Sequence, residues 1–234
     1  WRTSIGIDKK LPFDLDFSAD IIYTKELNGV YQYNANYAMA DTTFFTGTEW
    51  ERAAYRKSAS RSYVSTVREA MVLSNTNLGS GLSAAFTLSR NFKKGLSGSI
   101  SYAYNNTKDI TSNPGSQAAS AWSNNRTVGG NNAQELAISE YSTPNRVIAN
   151  ISKKFEYGNR FATTVSLVYD GYNPGRYSYV YSTDINNDGL TGNDLLFVHA
   201  SSDIKFSDLV IGTKTIKAAD QAAAWDAYVA QDNY

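Results

Sequence analysis

The stretch LPFDLDFSADIIY, residues 11–23, decides the fold class. Phe13, Leu15, Phe17, Ala19, Ile21 and Tyr23 hold alternate positions, and Asp14, Asp16, Ser18 and Asp20 fill the places between them. Successive side chains of an extended strand point to opposite faces, so this segment has one apolar face and one lined by carboxylates. A strand of that kind separates water from something apolar. The run from Phe13 to Tyr23, at ~3.3 Å per residue and ~45° of tilt, rises roughly 23 Å, close to the ~25 Å apolar band of an outer-membrane barrel. An aromatic stands at each end of the row, as at the two water interfaces of a bilayer.

Outward from this segment the same period recurs. A strand over about 1–8 precedes it across a turn at 9–12, and the segment itself continues past Tyr23 as far as Tyr37. Polar, aromatic-rich sequence over about 38–66 reads as a long loop. A third strand returns through about 67–92, with Leu82, Ala84, Phe86, Leu88 and Phe92 on one face. The short turn Lys93-Lys94-Gly95 leads to a fourth strand carrying Leu96, Gly98, Ile100, Tyr102 and Tyr104, which opens into a second long loop, about 108–140, rich in Asn, Ser and Gly. A fifth strand aligns Val147, Ala149, Ile151 and Phe155, and a sixth, after a short turn at 156–160, aligns Phe161, Thr163, Val165, Leu167 and Tyr169. Short turns alternating with long loops are the topology of an outer-membrane barrel, short turns periplasmic and long loops extracellular. The expected fold is therefore all-β, an antiparallel transmembrane segment of about six long strands over residues 1–183. Residues 184–234 are expected as an extracellular loop region with a short Ala-rich helix at about 218–231. Arg90 and Lys153 share the apolar parity but lie close to the short turns, where long basic side chains snorkel to water.

Composition agrees with this reading and removes others. Only 42% of the 234 residues are hydrophobic, and no run is long enough for a transmembrane helix, but barrel strands hide their apolarity in alternation. The 17 tyrosines suit surfaces that are apolar on one side and wet on the other. Basic and acidic residues balance at 22 each, which leaves no nucleic-acid footprint. The absence of cysteine excludes a disulfide scaffold and a thiol nucleophile. Six strands do not close a membrane barrel, so further strands are expected from outside this sequence. A soluble carbohydrate-binding sandwich is the competing reading, but sandwich strands run to only about 5–6 residues between frequent turns.

Particular pieces of wording resemble a known family. IGIDKKLP at 5–12, YTKELNGVY at 23–31, STPNRVIANISKKFEYG at 142–158, VYSTDINNDGLTGNDLLFV at 180–198 and DAYVAQDNY at 226–234 are similar to the TonB-dependent outer-membrane receptors of Bacteroidota. The branch is the SusC/Oar-like one that carries a carboxypeptidase-regulatory-like domain. The resemblance places the chain in the C-terminal part of a barrel of about 22 strands, short of the closing strands and without the plug domain. It implies a location in the bacterial cell outer membrane and import of a nutrient of the glycan, chelated-iron or cobalamin class. It also implies partners: outer-membrane lipid, the remaining strands and plug, the TonB complex through an N-terminal part, and a surface lipoprotein. A barrel that displays loops for adhesion or binding, without transport, is the alternative.

Asp184, Asn186, Asp188 and Gly189 make a D-x-N-x-D-G run whose oxygen spacing suits Ca²⁺. The twelfth position, where a bidentate Glu is required, is Leu195, with Asp194 one short, so an Asx-rich turn is the better reading and no cofactor is expected. His199 is the only histidine and sits in a loop, with no Cys or paired acid at recognisable spacing near it in the sequence. Asp14, Asp16 and Asp20 are dispersed along the pleat rather than converged, so no catalysis is expected. Trp50 in the first loop, Trp122 in the second and Tyr172 near the third are the candidate substrate contacts, because aromatic rings at an outer mouth combine contact area with a polar handle. The competing role for all three is packing of the loops on one another.

Overall fold

A computed structural model describes residues 1–158 and 160–231. In chain order the elements are β1 (Arg2–Leu11), β2 (Leu15–Lys25), β3 (Gly29–Asn34), β4 (Thr42–Phe44), β5 (Arg52–Ala54), β6 (Met71–Thr76), β7 (Ser80–Asn91), β8 (Leu96–Asp109), α1 (Ala118–Ser123), β9 (Ala137–Ile138), β10 (Asn145–Tyr157), β11 (Phe161–Tyr172), β12 (Leu209–Ile211), β13 (Lys214–Ile216) and α2 (Ala218–Val229). The chain forms two compact units, residues 1–195 and 196–234.

The first unit is built on one antiparallel sheet in the order β1-β2-β7-β8-β10-β11, with the short β9 added beside β8. Its long strands are the six expected from the alternation, and each pairs with its neighbours in the register that keeps the apolar rows together. Tyr23 pairs with Leu82, Ala19 with Phe86 and Phe17 with Leu88. Phe86 in turn pairs with Tyr102 and Leu88 with Ile100, and Ile100 pairs with Ala149. Ala149 meets Tyr169 and Ile151 meets Leu167 on the edge strand. A slip of one residue would have moved every row to the other face. The opposite face carries Asp16, Ser18 and Asp20, then Thr87 and Ser89, Ser99 and Ser101, Asn150 and Ser152, and Thr164 and Ser166, interrupted by a few residues such as Ile148 and Val168. Hydroxyls and amides there bond across strands: Thr87 to Ser101 at 2.9 Å, Asn150 Nδ2 to Ser99 Oγ at 2.7 Å, and Ser152 to Ser166 at 2.6 Å. Arg146 grips Asp170 through two hydrogen bonds of 3.0 and 2.7 Å. The sheet is a single layer, and its apolar face is open: Ile5 is 72% exposed, Ile100 52% and Leu167 71%.

The connections at one end are short. Lys94 and Gly95 both have positive φ in the β7–β8 turn, and a Cβ at position 95 would meet the Lys154 carbonyl oxygen at 2.9 Å, so glycine is needed there. The β10–β11 turn expected at 156–160 includes residue 159, which lies outside the described residues, as do 232–234 of the tail wording.

Three strand expectations need correction. The first turn falls at Pro12–Asp14 rather than 9–12, so Phe13 (φ +65°) and Asp14 (φ +54°) lie in the turn and the second strand begins at Leu15. The second strand does not run unbroken to Tyr37, and the third does not begin at Val67. Both are interrupted, at 26–28 and 77–79, so that β3 and β6 form a separate two-stranded ribbon. The ribbon continues the β2–β7 register, and Glu26 N still donates to Gly79 O at 2.9 Å. The reason is visible at the break: the Glu26 carboxylate lies over Gly29 and Gly79, where an added Cβ would meet its Oε2 at 2.4 and 2.2 Å. The long loops also hold structure, β4 and β5 within the first and α1 and β9 within the second. Residues 184–195 belong with the first unit.

In the second unit β12 and β13 form a hairpin that turns at Gly212, whose φ is +61°. The Ala-rich sequence makes α2 at 218–229, as its helix propensity favours. Asp208 accepts from the Ala218 backbone at 3.0 Å and pairs with Lys217 at 2.7 Å, fixing the helix start. Trp225 Nε1 donates to the His199 carbonyl at 2.8 Å.

Candidate functional site: the loop cluster

The loops at the far end of the strands fold into a cluster of their own. Its apolar centre is Tyr37, Tyr55 and Trp122, with Met71 and Leu190 packed against them. The Tyr37 ring meets Trp122 edge-on at 5.0 Å and Tyr55 at 5.5 Å. Trp122 Nε1 donates to Asn132 Oδ1 at 2.9 Å, and Asn132 ties to both the N–H and the carbonyl of Asn34, each at 2.9 Å. Tyr55 Oη donates to the Ala38 carbonyl at 2.6 Å. The second loop is thereby joined to the base of the first through the half-buried Asn132 and the buried Asn34 and Trp122.

The segment 184–195 locks this arrangement. Asp184 accepts from the backbone N–H groups of Asp188 at 3.1 Å and Gly189 at 2.8 Å. Asn186 Oδ1 accepts from Asp188 N at 3.0 Å, and Asp188 Oδ1 from Leu190 N at 2.7 Å. Asn193 Nδ2 bridges Asp188 Oδ2 at 2.7 Å and Asn131 Oδ1 at 3.0 Å. Asp194 accepts from Ile185 N at 3.1 Å and faces the Arg52 guanidinium at 3.8 Å. Arg52 Nη2 also donates to Leu195 O at 2.8 Å. Backbone bonds from Tyr55 to Asn186 and from Thr127 to Asn193 attach the first and second loops to the same segment. The oxygens of the D-x-N-x-D-G run are thus engaged by backbone N–H groups, as an Asx-rich turn requires. Among the described residues no group of three or more His, Asp or Glu side chains is placed to hold a metal ion.

Burial raises the Asp188 and Asp194 carboxyls of this knot. Asp188, Asn193 and Asp194 are all but fully enclosed. Desolvation pushes the Asp194 carboxyl up to about 6, and the nearby Asp188 charge adds to the rise, against the Ile185 N–H and Arg52. Asp188 is raised by the same burial. The Tyr37 phenol is driven well above its ordinary range, first by burial and then by Asp188.

The three expected aromatic contacts stand in different settings. Trp122 is 5% exposed and packs the loop core rather than offering its ring to a ligand. Trp50 stacks on Phe45 at 3.7 Å in the hairpin between β4 and β5. Tyr172, at the end of β11, is 63% exposed, with the Arg146 guanidinium 5.9 Å from its ring centre. His199 lies in the second unit with its ring against Phe197 at 4.8 Å. Recesses open in the cluster. One, about 350 Å³, is walled by Ala38, Met39, Ala40, Ala53 and Ala133 over Tyr37 and Tyr55. Another, about 150 Å³, has Asp109, Arg126, Glu135, Glu140, Arg176 and Tyr177 in a mixed lining with Ile110, Ile138 and Leu195.

Of the residues that organise the cluster, Arg52, Asn131 and Asn193 were not singled out in the sequence, Tyr37 was read only as a strand end, and Asp194 only as a carboxylate one place short of a Ca²⁺ ligand position. The one signal available was Arg52, a charge followed directly by Ala53 and Ala54 in a short strand. No family model, curated protein or solved structure matches the chain.

Proposed function

We propose that the chain supplies barrel wall and outer-mouth loops to a TonB-dependent outer-membrane transporter that imports a nutrient of the glycan, chelated-iron or cobalamin class. One observation carries the membrane part of this reading. Between the short-turn rim and the loop end, the apolar face of six long paired strands presents no charged residue, while the other face is hydroxylated and charged. A single-layer sheet exposing that much apolar surface is unstable in water, whereas hydrocarbon covers it without an unmet polar group, because the ladders satisfy the backbone. The open edges β1 and β11 then need further strands, which fits a segment of a larger closed barrel. The transport part rests on the wording of the five matching pieces.

Fractionation separates the readings. In cells making the protein in full, it is expected in the outer-membrane fraction and extractable only with detergent. Recovery in the soluble fraction would favour the sandwich. Uptake of one cognate nutrient that collapses when the proton-motive force is removed supports transport; ligand binding with no energised uptake would leave an adhesion or binding barrel.

A further inference from the structure

We propose that the short-turn rim of the apolar face holds the headgroup of an anionic phospholipid, with Arg90 and Lys153 as its cations and Lys9 farther along the same rim, two strands from Arg90. The proposal rests on the reading of that face as lipid-exposed and adds a ligand to it. The register places all three cations on the apolar face: Lys9 opposite Phe17, Arg90 between Leu15 and Gly98, and Lys153 between Leu96 and Val165. They lie near the short turns, and the strand middles on that face carry no charge.

The surroundings form a site rather than scattered lysines. Arg90 lies over the Phe92 ring at 4.7 Å, and Lys153 lies over Phe155 at 5.6 Å. Gly98 separates them with no side chain, and the Phe92 ring occupies the space, 4.0 Å from where a Cβ would stand. Lys153 Nζ donates to the Lys94 carbonyl, which turns its ammonium toward the rim. Among the described residues none of the three cations is in an ion pair. Arg90 Nε is enclosed and has no hydrogen-bond partner. That Nε is closed off from outside, so a phosphate would be met by the terminal Nη groups, whose fork suits its charge and geometry. Lys93 and Lys94, in the turn itself, extend the positive field outward. An acyl chain leaving such a phosphate would run along Leu88, Ile100 and Ile151, which supplies the apolar contact that a free phosphate lacks.

The test uses the protein in full, purified in detergent and mixed with phosphatidylglycerol or phosphatidylcholine, with retained lipid counted by native mass spectrometry. Phosphatidylglycerol is expected to be retained roughly tenfold better or more, from two cations near a lipid phosphate. Arg90→Gln with Lys153→Gln should bring it down to the phosphatidylcholine level, Arg90→Lys should keep most of the preference, and millimolar inorganic phosphate should not compete. Equal retention of the two lipids, an unchanged preference in the double variant, or displacement by inorganic phosphate would each overturn the proposal. A Leu88→Trp reporter with brominated acyl chains distinguishes the two levels: quenching without headgroup preference removes the headgroup site alone, and no quenching removes the lipid face.

Discussion

Replacing Ile100 by Arg is the sharpest perturbation of the apolar face. Ile100 sits in β8 between Leu88 and Ala149, four residues from both Leu96 and Tyr104. At ~3.3 Å per residue and ~45° of tilt it stands about 9 Å from each rim, too deep for an arginine to snorkel easily. The expected cost is therefore the midplane value, ~2–4 kcal/mol. Ser101→Arg is the matched control one residue away. It turns to the hydroxylated face, where it gives up the 2.9 Å bond to Thr87 and little else, so about 1 kcal/mol is expected. Both variants, in the protein refolded into vesicles, would be compared by urea titration read as heat-modifiable mobility and tryptophan fluorescence. A Ser101→Arg cost equal to or above that of Ile100→Arg would refute the assignment of faces.

Other outcomes follow from the loop cluster. Trp122→Ala should cost ~3–5 kcal/mol of local stability, seen as rapid proteolysis of the loops with the strands still protected. Excising 45–50, the hairpin tip that carries Trp50, should leave the cluster protease-resistant, whereas removing 44–55 takes Arg52 and Tyr55 with it and should collapse it; reduced uptake by the shorter deletion would assign Trp50 a ligand role. Asp194 holds its proton to about pH 6 in the folded state, against the ordinary 3.8 when unfolded, so the folded state binds more protons between those values. Loop stability should accordingly be greatest below about pH 4, fall as pH rises to about 6 and level off above; Asp194→Asn should flatten much of that slope in a protease-protection series, leaving the smaller same-sign contribution of Asp188. Gly189→Ala should loosen the knot by roughly 1 kcal/mol or more, since φ is +84° and the new Cβ would lie 2.6 Å from the Arg61 guanidinium carbon.

The long strands were legible because their information is local and repeated. Period two, read along Leu15 to Tyr23 or Phe161 to Tyr169, assigns the faces before any partner is known, and pairing can only line like faces up. The break at 26–28 was not legible, because it depends on Glu26 folding over glycines, one of them more than fifty residues away. The loops were the least readable part. Tyr37 and Tyr55 looked no different from exposed tyrosines, and Trp122 looked as suited to a ligand as Trp50, since what separates them is long-range contact. The D-x-N-x-D-G run was the exception: its turn-forming oxygens act on neighbouring N–H groups, so those local bonds could be expected from the residues themselves.

A membrane barrel requires the apolar face to meet lipid in the native membrane, and site-directed spin labelling reads that contact directly. The chain contains no cysteine, so single cysteines can be introduced and spin-labelled without background from it. Labels at Phe17, Leu88, Ile100, Ile151 and Val165 should collide with membrane-dissolved oxygen. Labels at Ser18, Thr87, Ser101, Ser152 and Ser166 should instead be reached by an aqueous nickel complex. Accessibility alternating with period two across all five strands is the predicted result; aqueous access on both faces, or no alternation, would contradict it.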